Sequence, residues 1–161
     1  MPHKSDTQLT AAAGEHLVLS RLLARGALAA PAPRGAKTVD LLVAPTSIRP
    51  AVLVQVKSRK LGKDGGWHMN KKHEEDIRGN LFFCFVDFEP QYPTVHVMHS
   101  KTVADILRND YSIWLATPGA KGQKRKETAF RRLRPAMQGA PRNWMEPHLE
   151  AWHLIVPQQE S

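Results

Sequence analysis

The chain is poor in cysteine, in acidic residues and in long apolar runs, and each shortage excludes something. The single cysteine, Cys84 in LFFCFV, rules out an internal disulfide and a multi-cysteine metal cluster. Its apolar neighbours mark it as a small core hydrophobe and fit a reducing, cytoplasmic setting. No apolar stretch approaches the length that spans a bilayer, so no membrane association is expected. MPHKSDTQLT offers neither a basic segment leading into an apolar one nor a cleavage site, which argues against a secretion signal. Internal repeats and low-complexity segments are also missing. With 161 residues the chain can bury a core as one domain, 1–161, read as a core over 8–110 and a basic C-terminal extension over 111–161.

The shortage of acid is the most informative of these. Fifteen Asp+Glu face 23 Lys+Arg, for a net charge of +8. The excess is concentrated in KGQKRKETAFRRLRPAMQGAPR (121–142), with eight basic residues and one acidic, and in KSRKLGK (57–63). Concentrated positive charge attracts polyanions, and in a cytoplasm the commonest is nucleic acid.

Hydrophobic patterning gives an α/β order. Ser5, Asp6 or Thr7 can cap a helix running to about Arg25, with Gly26 as its stop. APAPRGAK (30–37) reads as a connector. VDLLVA (39–44) and AVLVQVKS (51–58) read as an antiparallel strand pair joined by PTSIRP. LGKDGGWHMNKK reads as an open loop, followed by a short helix around Lys72–Arg78. LFFCFVDF (81–88) is a central strand and TVHVMH (94–99) an alternating one, ahead of a helix capped by Ser100. Residues from SIWLATPGAKGQKRK read as irregular, and NWMEPHLEAWHLI as a terminal helix packing through Trp144 and Trp152. The fold class is α/β with a mixed central sheet flanked by helices.

Polar residues interrupt this apolar frame at particular places. Asp40 stands in the first strand of the pair, and Gln55 and Lys57 share one face of the second. On a helical wheel Leu9, Ala12, Leu19, Leu22 and Leu23 share an arc that also contains Glu15, with Arg21 and Arg25 opposite. A carboxylate in an apolar arc is costly unless paired. Asp40 and Glu15 supply anionic oxygens, Gln55 an amide oxygen and Val56 a backbone carbonyl, an oxygen-only set that Mg2+ prefers. Lys57 beside such an ion can orient a water or offset charge on a phosphate.

GE at 14–15, D at 40 and QVK at 55–57 together resemble the PD-(D/E)xK nuclease superfamily in its QxK variant. The branch they resemble contains group I intron homing endonucleases, and VKSRK after a Glu-bearing helix is similar to archaeal Holliday junction resolvases. The resemblance implies a restriction-endonuclease-like core and metal-dependent cleavage of DNA phosphodiesters with Mg2+, for which Mn2+ can substitute. It implies that Asp40 is the central metal ligand, Glu15 the helix-borne acid and Lys57 the motif lysine. Gln55 stands where Asp or Glu is usual, and Val39 where proline often precedes the aspartate.

Backbone phosphates would be held by Arg59, Lys60 and Lys63, by Lys71 and Lys72, and by the later cluster. In that cluster Lys124, Arg125 and Lys126 precede Arg131, Arg132 and Arg134. Trp67 is placed to stack on a base. Two histidine pairs, in HMNKKH (68–73) and HVMH (96–99), have zinc-like spacing but no third ligand nearby, and His96 reads as a strand wall residue. Ser58 has no His–Asp arrangement beside it. Two further functions fit the same residues: a catalytically silent nucleic-acid-binding module, and a structural protein whose basic tail meets RNA. The strand in YPTVHVMH offers an edge for a homodimer.

Overall fold

The computed structural model describes residues 4–60 and 65–157. Helix α1 (Lys4–Ala24) is followed by β1 (Ala29–Pro31), β2 (Leu41–Val43), β3 (Val52–Arg59), β4 (Trp67–Asn70), β5 (Leu81–Asp87) and β6 (Thr94–His99). Helix α2 (Ser100–Ala116) and β7 (Phe130–Leu133) complete the regular elements, with single turns of 3-10 helix at Lys71–Glu74, Glu146–His148 and Trp152–Leu154. Five strands form one sheet in the order β1-β2-β3-β5-β6, and β4 pairs with β7 in a second. β3 and β5 run parallel, and the remaining neighbours in the five-stranded sheet run antiparallel.

Strand alternation sorts the side chains of this sheet into two cores. Val52, Val54, Cys84, Val86, Val95 and Val97 pack under Val18 and Leu22 of α1, with Trp152 and Ile155 beside them. Leu81, Phe83, Phe85 and Met98 pack on the other face against Val103 and Leu107 of α2, with Trp67, Leu133, Trp144 and Met145. Burial raises the pKa of the Cys84 thiol, so it stays protonated within the first core. Among the described residues no helix is long and apolar enough to cross a membrane.

α1 ends in paired bonds, Gly26 N–H to Leu23 O at 2.9 Å and Ala27 N–H to Leu22 O at 3.1 Å. They close around Gly26, whose φ of 79° suits glycine. The buried stripe of α1 differs from the leucine arc expected. It runs through Thr10, Gly14, Val18 and Leu22, while Leu9 and Leu23 are 66% and 48% exposed. The reason is close approach: a Cβ on Gly14 would collide with Ser58 Oγ. Small residues face the sheet where the backbones come near, and Leu9 and Leu23 are displaced outward while Leu22 stays buried. Arg21, expected on the outer side, is half-buried and donates to Glu150 at 2.7 Å and to Pro93 O at 2.6 Å.

Other expectations change for physical reasons. The connector contains β1, whose Pro31 lies on an edge strand where a missing N–H costs no ladder bond. The loop after residue 64 contains β4, which gains its partner only when β7 arrives about sixty residues later. α2 continues through Ala116, and its cap is His99, which accepts from Lys101 N at 3.1 Å. Ser100 is already helical and donates to Arg78 O at 2.9 Å. The C-terminal segment is two 3-10 turns, because Pro147 opens one and Glu150 takes a φ of 50° before the other. Trp144 and Trp152 still pack, each into a different core. The outer edge of β6, expected to receive a second copy, is met by this chain itself. Glu150 N–H donates to Val95 O at 2.7 Å, and Leu149 bridges His96.

Candidate active site

β3 organises the site. Its Val54, Val56 and Ser58 face α1, so Gln55, Lys57 and Arg59 face the α2 side. The β2–β3 register pairs Leu41 with Val54, and the Asp40 N–H also turns to the Val54 carbonyl, so the regular ladder ends at Asp40. Asp40 is fixed on three sides. Its N–H donates to Val54 O at 2.8 Å, its carbonyl accepts from Ala32 N, and its Oδ2 accepts from Val56 N at 2.7 Å. N–H and C=O of one strand residue point the same way, so Val56 turns its carbonyl toward Asp40 as well.

The backbone entering Asp40 is unusual. Thr38 adopts a φ of 63°, a left-handed conformation that a β-branched residue rarely takes. Side chains from across the molecule hold it there: Thr38 Oγ1 lies 3.1 Å from Asp76 Oδ2, and Arg78 donates to Thr38 Oγ1 at 3.1 Å. Nothing in the sequence around Thr38 signals this; it depends on a turn and on residues nearly forty positions later.

Electrostatics couple Asp40 to Glu15 and to Lys57. Burial raises the pKa of Glu15, and the Asp40 carboxylate raises it further. Asp40 is raised chiefly by burial, against which the Val56 N–H and Lys57 pull it down. Lys57 is lowered chiefly by burial; Asp40 opposes that shift and Lys72 adds to it. Gln55 is buried, and its Oε1 has no hydrogen-bond partner. Asp40 is thus coupled to both Glu15 and Lys57, and the unpartnered amide oxygen of Gln55 belongs to the strand face that also carries Lys57. Among the described residues no three His, Cys, Asp or Glu side chains gather as a metal-binding group.

His73 adjoins this site. Its Nδ1 accepts from Asn70 N at 2.9 Å, fixing the proton of the neutral ring on Nε2. Burial, with Lys57 and Lys72 nearby, lowers its pKa to about 4. The other histidines with zinc-like spacing are engaged in packing and caps. His96 meets the Trp67 ring edge-on, His68 meets Phe130, and His99 caps α2.

The expected phosphate-binding residues divide sharply. Lys60, Lys72, Lys124 and Lys126 are exposed. Lys63 lies outside the described residues. Arg59 turns inward, bonded to Asp87 at 2.6 Å and stacked over Trp67 at 4.3 Å. Trp67 itself is 1% exposed and donates to Val86 O, so it presents no ring to a base. An aromatic flanked by glycines looked like a loop residue, yet it anchors β4 into the second core. Arg131 is buried against Glu74 and Tyr111, and Arg134 is paired with Asp110 at 3.0 Å. Lys71 pairs with Glu127 at 2.9 Å, Arg125 lies over Trp114, and Arg132 lies over Phe130. Sequence reasoning missed Tyr111, Trp114 and Phe130. The available signals were the i, i+3 spacing of the first two and the place of Phe130 directly before two arginines.

No protein-family model matches the chain, and no curated protein matches it. A search of solved structures finds a bacterial homing endonuclease, I-Ssp6803I, with a TM-score of 0.52 over 93% of this chain and 91% of that one. The two sequences are 16% identical, so the likeness bears on the fold. The mixed sheet, the helix laid across β3 and this match together give the chain the restriction-endonuclease-like α/β fold.

Proposed function

We propose that the protein is a Mg2+-dependent endonuclease acting on DNA. One observation supports the reading: Asp40, anchored by the Val56 N–H, is coupled to Glu15 of α1 and to Lys57 of β3, and Gln55 on the same strand has a buried amide oxygen without a partner. The donor set suits a hard divalent ion. Two carboxylates disfavour each other's charge, and a buried amide oxygen lacks a partner; a cation relieves both. Asp40, Glu15, Gln55 Oε1 and the Val56 carbonyl would hold Mg2+, or Mn2+ in its place. Bound there, the ion supplies Lewis-acid stabilisation of phosphate charge and a more acidic water. Lys57 holds its proton at Nζ beside Asp40, placed to donate to a phosphate oxygen or to orient water. The exposed lysines hold flanking phosphates. The single buried thiol supports a cytoplasmic setting.

Purified protein is expected to cut duplex DNA with Mg2+ or Mn2+, and to stop in EDTA. Lys57→Ala is expected to lose cutting while keeping DNA binding; unchanged cutting would remove Lys57 from the chemistry.

A second reading is a silent DNA-binding module on the same fold. Neutral Gln55 and the shortage of a third acid favour it. Gln55→Glu separates the two: new Mg2+-dependent cutting where the native protein has none would identify a pocket with intact geometry tuned down by the amide.

A further inference from the structure

A cleft of about 250 Å³ opens between the C-terminal half of α2 and β7, away from the site above. Its walls carry Tyr111, Trp114, Phe130, Asp110 and three arginines, of which Arg131 pairs with Glu74 and Arg134 with Asp110. Tyr111 and Trp114 stack at 5.4 Å, one helical turn apart. Guanidinium groups extend these rings: Arg131 lies 3.2 Å over Tyr111, Arg125 4.6 Å over Trp114 and Arg132 5.2 Å over Phe130. Phe130 is 49% exposed on β7, so part of its ring is open to a ligand. Alternating guanidinium planes and rings are a surface on which bases stack without regard to sequence.

The cleft is also joined to the candidate active site. Phe130 pairs with Asn70 across the β4–β7 ladder, and Lys71 N–H donates to Ala129 O at 2.8 Å. Lys72 follows directly and acts electrostatically on Lys57.

We infer that this cleft binds unpaired bases, so that the substrate is DNA with a single-stranded segment next to the cut. The inference rests on the endonuclease reading for its substrate, but the binding it describes does not. The occupant is a nucleobase on a polyanionic strand, argued from the stacked rings together with Arg125 and Arg132 over them and the exposed Lys124 and Lys126 beside Arg125 in the chain. Duplex bases are already stacked on one another and cannot enter.

The test uses the full chain in EDTA, which separates binding from cutting. Anisotropy of labelled oligothymidylate and of a duplex is compared in wild type, Phe130→Ala, Trp114→Ala and Trp114→Phe. Loss of about fivefold or more for the single strand in both alanine variants, with the duplex changed by less than about twofold and Trp114→Phe near wild type, supports the cleft. Equal losses on both ligands, or none on either, overturn it. If an alanine variant fails to melt cooperatively, the native protein decides. Trp67, Trp144 and Trp152 are buried and Trp114 is half-buried, so emission changes report chiefly on Trp114. Quenching by oligothymidylate and not by duplex supports the inference; no quenching overturns it. A protein that passes this test but never cuts keeps the cleft and loses the endonuclease.

Discussion

Asp40 is held where its own charge is disfavoured. Burial raises its pKa most, while the Val56 N–H and Lys57 offset part of that. A carboxyl whose folded pKa exceeds its unfolded value binds its proton more tightly in the fold. Its contribution therefore favours the fold at low pH and is lost as the pH rises through the raised value. Asp40→Asn keeps an oxygen for Val56 N–H and removes the charge. Thermal melts at pH 7 should place the variant about 2–4 °C above the metal-free native protein, with the gap closing below the ordinary carboxylate range. Cutting should disappear, and added Mg2+ should raise the melting point of the native protein only. A variant that melts lower at neutral pH would show that burial costs Asp40 less than its bonds return. Asp40, Gln55 and Lys57 were legible because polar groups interrupt apolar strands. Glu15 was also singled out, but from the wrong helical arc, since leucines outweigh glycine in any hydrophobic count. Thr38 and His73 were not legible: one depends on a backbone angle, the other on neighbours brought in by folding.

At the scale of elements, two contacts set the site's geometry. The first is α1 on β3 at Gly14. A Cβ there would overlap Ser58 Oγ and come within 3.0 Å of Ser58 Cβ, so any side chain must push the helix outward. Gly14→Val should destabilise by about 1–3 kcal/mol in denaturant melts. It should also weaken Mg2+ binding, because Glu15 travels with the helix. Gly14→Val with unchanged stability and metal affinity would mean that the helix can yield without moving Glu15. The second is the turn at Lys71–Glu74, capped by Asn70 and His73 acting on each other's backbone. His73 has a folded pKa of about 4 against an ordinary 6.5. A depressed histidine contributes stability above its unfolded pKa and loses it as the pH falls from about 6.5 toward about 4. His73→Asn keeps an acceptor for the Asn70 N–H and cannot titrate, so its melting point should fall less across that window. Parallel curves would exclude His73 as a source of acid lability. The long elements α1, β3, β5, β6 and the start of α2 were readable from period and the Gly26 stop, but not from the expected caps: Ser5, Asp6 and Thr7 lie inside α1, and His99 takes the place expected of Ser100. β4 and β7 were not, because each is four residues long and finds its partner far along the chain.

For the whole molecule, the net charge of +8 overstates what is offered to a polyanion. Arg21, Arg59, Arg131 and Arg134 each pair with a carboxylate of the same chain, a fact that counting residues cannot reveal. The exposed lysines Lys60, Lys72, Lys124 and Lys126 are better placed to meet phosphates. If each neutralises one duplex phosphate, log affinity should fall against log salt with a slope of about −3.6. Lys124→Ala combined with Lys126→Ala should reduce the magnitude of that slope by about 2, leaving the melting point unchanged. Arg134→Ala should behave in the opposite way. Asp110 sits half-buried between Arg134 and the Gln138 N–H, so losing the guanidinium lowers stability and leaves the slope alone. Titrations at several salt concentrations, read beside melts of the same proteins, separate the two kinds of basic residue. A slope that follows Arg134 and ignores the lysine pair would show that the Asp110 ion pair leaves the guanidinium available to phosphate and that the lysines meet none.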